Sequence, residues 1–361
     1  MISFQRPALP ATDEIDRYLN RSRAEHWFSN GGPCWRLLRD RLGDRVGAYC
    51  LPVASGTAGL MTALAALGAG PGARALLPSF TFIATAQAAV WSGFKPLLAD
   101  LDPESWHLDP EAVEEVVGSG AAEAVIAVSA FGTPPPPSLR ERWEHSCRQA
   151  GIPLVVDSAA GFGAVAEDGV AVGAQGDIEV VSFHATKPFA IGEGGAVFTR
   201  DRQLHDRLEE IVNFGLRPDR TIGSPRGLNA KMSELHAATA LAVLDRLDEI
   251  LGQRRNTAGA LRESASANCS WQRSCERSTW QFLPVALDSP EHRDRLRTAC
   301  ADRVEVRVYY EPLHELAPGR WESVDDLMRT TALHRRLLCL PMANELEPGE
   351  QSEIAARLSA A

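Results

Sequence analysis

The stretch "SFHATKPFAIGEGGAV", residues 182–197, places a single lysine, Lys187, between two short apolar segments. The segments are "IEVV" at residues 178–181 and "AVFT" at residues 196–199, and both predict buried strands. Three glycines, at positions 192, 194 and 195, follow the lysine. A lysine in a dry pocket has a lowered pKa and becomes a nucleophilic amine. The alternative is a surface lysine that simply precedes Pro188, and for a lone lysine the alternative is the commoner case.

Around this stretch, strand and helix patterns alternate from Val53 to about Leu251, after an irregular N-terminal arm with one or two helices. Such alternation predicts an α/β domain with a mostly parallel, mixed sheet. The segment "KMSELHAATALAVLDRLDEIL", residues 231–251, predicts one long helix that connects two domains. Beyond it, "TWQFLPVAL" and "VEVRVYY" predict strands among helices. We therefore expect a large domain at residues 1–250 and a smaller α+β domain at residues 251–361.

Composition excludes several classes of protein. The 361 residues carry a formal net charge of -10, which disfavours non-specific nucleic-acid binding. The seven cysteines are scattered, without a Cys-x-x-Cys pair or a histidine cluster, so we expect reduced thiols and no metal site. No stretch approaches the roughly 20 apolar residues of a membrane span, and no signal peptide is evident. These features predict a cytoplasmic protein without a membrane association.

Three other stretches carry groups that can bind a ligand: two suit a phosphate, and one offers a carboxylate for a cation or a strong hydrogen-bond donor. Gly56 and Thr57, in "SGTAGL", open a predicted helix, whose free N–H groups favour an anion. Asp157 ends the apolar strand of "IPLVVDSA" and is followed by small residues. Asn229 precedes the predicted long helix, and it either caps this helix or donates a hydrogen bond to a phosphate. A helix cap is also the alternative for the first stretch, and a capping aspartate for Asp157.

Together these residues suggest a phosphate cradle, a carboxylate for a pyridinium nitrogen and an amine for an aldehyde. Pyridoxal 5′-phosphate presents all three groups to a protein. The glycines at 161 and 163 also suggest a dinucleotide loop, but the full Gly-x-Gly-x-x-Gly pattern is missing. A nicotinamide oxidoreductase is therefore the weaker alternative.

The motifs, in order, resemble the DegT/StrS family of sugar aminotransferases over nearly the whole chain. The matching stretches are "SGTAGL", "LLPSFTFIATAQA", "LLADLDPESWHLD", "VVDSAAGFGA", "SFHATKPFAIGEGG", "GLNAKMSELHAA" and "VYYEPLHEL". The resemblance implies the aspartate aminotransferase type of fold, pyridoxal phosphate as cofactor, and a homodimer with shared active sites. A dehydratase branch of the family has histidine in place of the lysine, and Lys187 argues against that branch.

The resemblance also implies residue roles. Lys187 would hold the cofactor covalently and move protons, Asp157 would pair with the ring nitrogen, and Phe82 would stack on the ring. The remaining residues implied to contact the cofactor are Gly56, Thr57, Ala58, Ala160, Ser182 and, from the neighbouring subunit, Asn229. Those implied near the substrate are His184, Arg217, Arg226, Tyr309, Tyr310 and His314. Ala160 departs from the family, which usually has a glutamine there beside the phenolic oxygen of the cofactor.

The function that follows is amino transfer, with glutamate as expected donor, to a keto group of a nucleotide-linked deoxysugar in aminosugar biosynthesis. Two alternatives within the same fold are an enzyme for an aminocyclitol or non-sugar ketone, and a cofactor-binding regulator without turnover. An anionic nucleotide needs local positive charge in this acidic chain. The candidates are Arg217, Arg220, Arg226, Lys231 and Arg307.

Overall fold

The computed structural model describes residues 1–360 and is built on a large mixed sheet. The strand order is β1-β7-β6-β5-β4-β2-β3-β10. Its strands are β1 (Tyr49–Val53), β2 (Arg74–Pro78), β3 (Lys95–Ala99), β4 (Ala124–Val128), β5 (Leu154–Asp157), β6 (Ile178–Ser182), β7 (Gly195–Thr199) and β10 (Glu322–Ser323). Strand β7 runs in the opposite direction to the other seven strands, which are all parallel to one another. The expected α/β fold with a mostly parallel sheet is confirmed.

Thirteen α-helices lie in the described part of the chain. They are α1 (Thr12–Glu25), α2 (Pro33–Val46), α3 (Gly56–Leu67), α4 (Ile83–Trp91), α5 (Pro110–Gly118), α6 (Pro137–Ala150), α7 (Arg202–Val212), α8 (Glu234–Leu244), α9 (Leu247–Glu263), α10 (Pro290–Cys300), α11 (Leu313–Leu316), α12 (Met328–Arg336) and α13 (Pro348–Ser359). Across residues 1–360, none of these helices combines the length and hydropathy that a membrane span requires.

Helices cover both faces of the large sheet, and its central strands β4, β5 and β6 are almost entirely buried. Strand β4, "AVIAV", is fully buried, which is typical of a parallel strand between two helical layers. Ile126 packs in one core with residues of α3 and α4, whereas Val125 packs in another with residues of α5 and α6. This sandwich holds the carboxyl ends of β5 and β6 at a common edge.

A smaller antiparallel sheet lies in the C-terminal part, with the order β11-β9-β8. Its strands are β8 (Cys269–Ser270), β9 (Leu283–Leu287) and β11 (Leu337–Leu340). Helices α9, α10 and α13 contribute Leu261, Leu296 and Ile354 to the core on this sheet. The domain boundary near residue 250 stays a prediction, and that residue lies inside α9.

The structure differs from the sequence-based expectations in three elements. The single long helix at 231–251 is two helices, α8 and α9, which are separated at Asp245 and Arg246. The segment "VEVRVYY" is not a regular strand and makes only isolated bridges, at Val304 and Arg307. The N-terminal arm has two helices, α1 and α2, as the sequence predicts, but it also ends in the edge strand β1, where Pro52 is tolerated and which the sequence does not predict.

Candidate active site

A cleft of about 720 Å³ lies at the carboxyl edge of the large sheet, where ligands of open α/β folds bind. Strand β5 delivers Asp157 to it, and β6 delivers Ser182 and the loop that carries Lys187. Segments from the N-terminal arm and the C-terminal part close the cleft, at Gln5 and at Gln281 to Phe282.

Lys187 lies half-buried in the cleft wall, on a turn after β6. Its N–H donates to the carbonyl of His184 (2.8 Å), and Nζ donates to Oε1 of Gln281 (3.4 Å). Burial lowers the pKa of the Lys187 amine to about 8, against the opposing effect of the Asp157 charge. At pH 7 about a tenth of the Lys187 amines are therefore neutral, many times more than for an ordinary lysine, and the neutral amine is the nucleophilic form.

Asp157 is the buried carboxylate of the cleft, with 5% of its surface exposed. Oδ2 accepts a hydrogen bond from Oγ1 of Thr85 (2.7 Å), and Oδ1 accepts one from the N–H of Ala159 (3.2 Å). Burial raises the pKa of Asp157, whereas the Thr85 hydroxyl, the Lys187 charge and the Ala159 N–H oppose that shift. A cationic group in the cleft would stabilise this carboxylate in its ionised form.

The first turn of α3 and the end of β6 form a narrow anion cradle. Gly56 and Thr57 line the cleft at the helix N-terminus, where N–H groups lack intrahelical acceptors. A Cβ on Gly56 would lie only 2.7 Å from Cβ of Ser182, so this approach requires glycine. Ser182 also lines the cleft.

These groups fit pyridoxal phosphate. The cleft offers an amine for an aldehyde, a buried carboxylate for a ring nitrogen and helix N–H groups with a serine for a phosphate. Phe82, 56% exposed at the cleft, offers an aromatic face for the ring.

Four further predicted residues lie in the cleft wall: Ala160, His184, Tyr309 and Tyr310. His184 Nδ1 is within 3.0 Å of the Thr186 hydroxyl oxygen. The Tyr310 ring stacks on Phe131, and its hydroxyl accepts a long hydrogen bond from the Phe131 N–H (3.4 Å).

Other predicted residues do not line the cleft of this chain: Ala58, Asn229, Arg217, Arg226 and His314. The Ala58 N–H donates to Ser55 Oγ, the side chain that caps α3 (3.1 Å). Arg226 instead donates to the backbone carbonyls of Ser92 and Ala69.

Of the remaining three residues, Asn229 forms an isolated backbone bridge with Asn213, and the other two have side-chain partners elsewhere. Arg217 lies beside Glu210, with 3.7 Å between its Nε and the nearer carboxylate oxygen. His314 Nδ1 lies 2.7 Å from Ser79 Oγ.

Sequence reasoning missed several cleft residues. Gln5, Thr81, Ser129 and Gln281 line the cleft, and Thr85 binds Asp157 from α4. The stretch "TFIATAQA" did contain Thr85, four residues after Thr81, but no local pattern indicates that a threonine faces a carboxylate 72 positions away.

Comparison with known proteins supports the fold, the enzyme class and the cofactor. A solved structure from Bacillus cereus ATCC 10987, described as a PLP-dependent aminotransferase, superposes with a TM-score of 0.91 at 28% identity, covering 99% of both chains. The structure of DesI with its TDP-sugar product superposes with a TM-score of 0.89 at 32% identity, covering 99% of this chain and 92% of that one. The fold and site thus define a pyridoxal-phosphate-dependent aminotransferase.

The family is equally defined. The model of the DegT/DnrJ/EryC1/StrS aminotransferase family matches residues 11–359, and the chain belongs to this family. Protein Rv3402c of Mycobacterium tuberculosis is 33% identical over all of this chain and 90% of its own length. The dTDP-4-amino-4,6-dideoxy-D-glucose transaminase of Shigella dysenteriae is 29% identical over 96% of this chain and 95% of its own.

Proposed function

We propose that this aminotransferase moves an amino group, from glutamate as donor, to a keto group of a nucleotide-linked deoxysugar in aminosugar biosynthesis. The observation that carries the proposal is the pairing of Lys187 and Asp157 in one cleft at the carboxyl edge of the sheet. The names of two similar proteins, a dTDP-sugar transaminase and DesI with its TDP-sugar product, support the substrate class.

In this proposal the cofactor, when bound, would act as an electron sink. The protein would hold the reacting groups in position, supply charge and move protons. Lys187, with its amine neutral in part near pH 8, carries the cofactor and accepts or returns the proton that moves during amino transfer. The negative charge of Asp157, at the buried end of β5, would keep a ring nitrogen of the cofactor protonated. The cradle at Gly56, Thr57 and Ser182 anchors the phosphate.

Arg307 is the best-placed residue for the nucleotide diphosphate. In residues 1–360 it is the one arginine that lines the cleft, where it lies beside Glu305 (2.7 Å) and the Tyr309 hydroxyl (3.3 Å). A planar guanidinium can bind two diphosphate oxygens at once. Arg217 and Arg226 serve this role only if an assembly brings them to the cleft of a neighbouring subunit.

We further propose a cytoplasmic homodimer with active sites shared between subunits. Val90, Trp91, Phe214 and Ile222 are large exposed apolar residues, with Trp91 74% and Ile222 73% exposed. Arg226 links their two segments, because it donates to the carbonyl of Ser92, next to Trp91. Exposed large apolar residues in neighbouring segments are typical of a protein interface, and Asn229 forms a backbone bridge with Asn213, next to Phe214.

The test is a two-step assay of the purified protein with pyridoxal phosphate. The first step offers glutamate, glutamine and aspartate and measures the corresponding keto acid. The second offers nucleotide-linked keto-sugars, the matching free keto-sugars and a keto-cyclitol, and measures the aminated product by mass spectrometry.

Amination of a nucleotide-linked sugar at much higher kcat/KM than the free sugar supports the proposal. Equal or better turnover of the cyclitol, or of the free sugar, would favour the aminocyclitol or non-sugar alternative. Cofactor binding without keto acid release from any donor would favour a regulator without turnover.

A further inference from the structure

We propose that Gln281 is a positioning residue for Lys187: its side-chain oxygen holds the lysine amine at the cleft while its side-chain nitrogen is fixed to the backbone. Oε1 of Gln281 accepts a hydrogen bond from Nζ of Lys187 (3.4 Å), and Nε2 donates to the carbonyl of Thr186 (3.3 Å). The inference rests on the proposed role of Lys187 as the amine that carries the cofactor.

The segment that carries Gln281 is hydrogen-bonded to the loops that follow β4 and β5. The Thr279 hydroxyl donates to the carbonyl of Ala160 (2.7 Å), and the Ser278 hydroxyl donates to the carbonyl of Phe131 (3.2 Å). The docking needs Gly132, which has a φ of +83° and whose added Cβ would lie 2.2 Å from the Thr279 hydroxyl oxygen. Gln281 therefore enters the cleft from a segment that is hydrogen-bonded on its N-terminal side, with only 4% of its surface exposed.

The hydrogen bonds also define which end of the Gln281 amide faces the lysine. A backbone carbonyl can only accept, so the amide nitrogen must face Thr186 and the oxygen must face Lys187. A neutral oxygen accepts from both the neutral and the protonated amine. It orients Lys187 without adding a negative charge that would hold the amine in its protonated form.

No other side chain gives Lys187 this contact in the described part of the chain. Asp157 acts on Lys187 through its charge, whereas Gln281 accepts the side-chain hydrogen bond that Nζ donates. Ala160, on the same wall, offers only a methyl group, and its carbonyl is occupied by Thr279. The orientation of the amine thus depends on a residue from the C-terminal part of the chain.

The experiment measures how fast the full-length apoprotein captures pyridoxal phosphate, as a function of pH. Capture requires a neutral amine, which condenses with the aldehyde and releases one water. It is followed by visible absorbance and, after borohydride reduction, by the mass of the labelled peptide. The variants are Gln281→Met, which keeps the length without the amide, and Gln281→Glu, which keeps the shape and adds a charge. The matched control is Gln272→Met, since Gln272 is equally buried but lies outside the cleft.

The wild-type capture rate should rise with pH around the pKa of Lys187, about 8. For Gln281→Glu we expect that midpoint to move up by about one pH unit, because a carboxylate stabilises the protonated amine. For Gln281→Met we expect capture at high pH to be roughly tenfold slower, because the amine is no longer oriented. Gln272→Met should give the wild-type profile.

If both Gln281 variants give the wild-type profile while Lys187→Ala abolishes capture, the positioning role is wrong and the proposed function stands. If Lys187→Ala still captures the cofactor covalently, the proposed function itself fails. If the Gln272→Met variant captures pyridoxal phosphate as slowly as the Gln281→Met variant, the loss of rate is a general packing effect. That result also overturns the positioning role.

Discussion

For the single residue Asp157, the proposed catalytic role and the stability of the fold make opposite demands on the charge of the side chain. Its burial raises the pKa of the carboxyl group, so the folded apoprotein holds a proton there more tightly than the unfolded chain does. Stability therefore falls as the pH rises from the unfolded value through the raised folded value. The ionised Asp157 carboxylate, which is proposed to serve the chemistry, thus destabilises the folded apoprotein.

Asp157→Asn should separate these two effects. The neutral amide removes the charge opposite the ring nitrogen, and we expect kcat to fall by roughly 10²–10³. The apoprotein at pH 7 should unfold at the same or a higher temperature than the wild type, since the cost of the buried charge is gone. Calorimetry and single-turnover kinetics check the two halves. Near-normal turnover with bound cofactor would contradict the proposed role of Asp157.

Arg307→Ala should weaken the sugar step alone. Losing a charged contact to a diphosphate should raise the KM for a nucleotide-linked sugar by about tenfold or more. The half-reaction with the amino donor should keep its rate, because the donor carries no diphosphate. Steady-state and half-reaction kinetics test this, with Arg273→Ala, an exposed arginine outside the cleft, as control. An unchanged KM would remove Arg307 from the substrate site.

At the scale of elements, the tight packing of α3 against the sheet explains the glycines at its start. Gly56 lies against Ser182, and a Cβ on Gly59 would lie 2.8 Å from a methyl group of Val180. The helix N-terminus can approach a phosphate at the sheet edge because these two positions lack side chains.

Gly56→Ala should therefore displace the start of α3 and weaken retention of pyridoxal phosphate by roughly tenfold. Gly252→Ala is the matched control: Gly252 lies within α9, and an added Cβ meets nothing within 4 Å. That substitution should stabilise the protein by about 0.5–1 kcal/mol through helix propensity. Equilibrium dialysis and thermal unfolding measure both effects. Unchanged cofactor affinity in Gly56→Ala would show that the cradle is more tolerant than its geometry indicates.

The sequence predicts the alternating strands and helices well because each is encoded by its own apolar period and its own turn residues. The sequence does not predict features that depend on contacts between residues far apart in the chain. The break between α8 and α9 contains neither glycine nor proline, and Asp245 there binds Tyr18 (2.7 Å) and Arg41 (2.9 Å) from the N-terminal helices. Likewise, Lys187 and Asp157 can be found from strand ends, whereas Thr85 and Gln281 reach the site only through tertiary packing.

At the scale of the whole molecule, the proposed shared sites predict complementation between inactive subunits. Lys187→Ala removes the amine of one chain, and Asn229→Ala removes a group that is proposed to reach the neighbouring site. In a mixed dimer, one site would keep both wild-type residues, so mixing should restore activity that neither variant has alone. Activity of mixed samples and sedimentation of the wild type provide the measurement. A fully active monomer would exclude shared sites.

The short strand β10 has a consequence for how the chain can be divided. It pairs in parallel with β3 at the rim of the large sheet, and Thr330 nearby donates to the buried Asp100 (2.7 Å). A fragment that ends near residue 250 would leave β3 with free N–H and carbonyl groups, which are a template for aggregation. We therefore expect the C-terminal part to shield this edge of the sheet, and we expect a fragment that ends near residue 250 to aggregate when it is expressed alone.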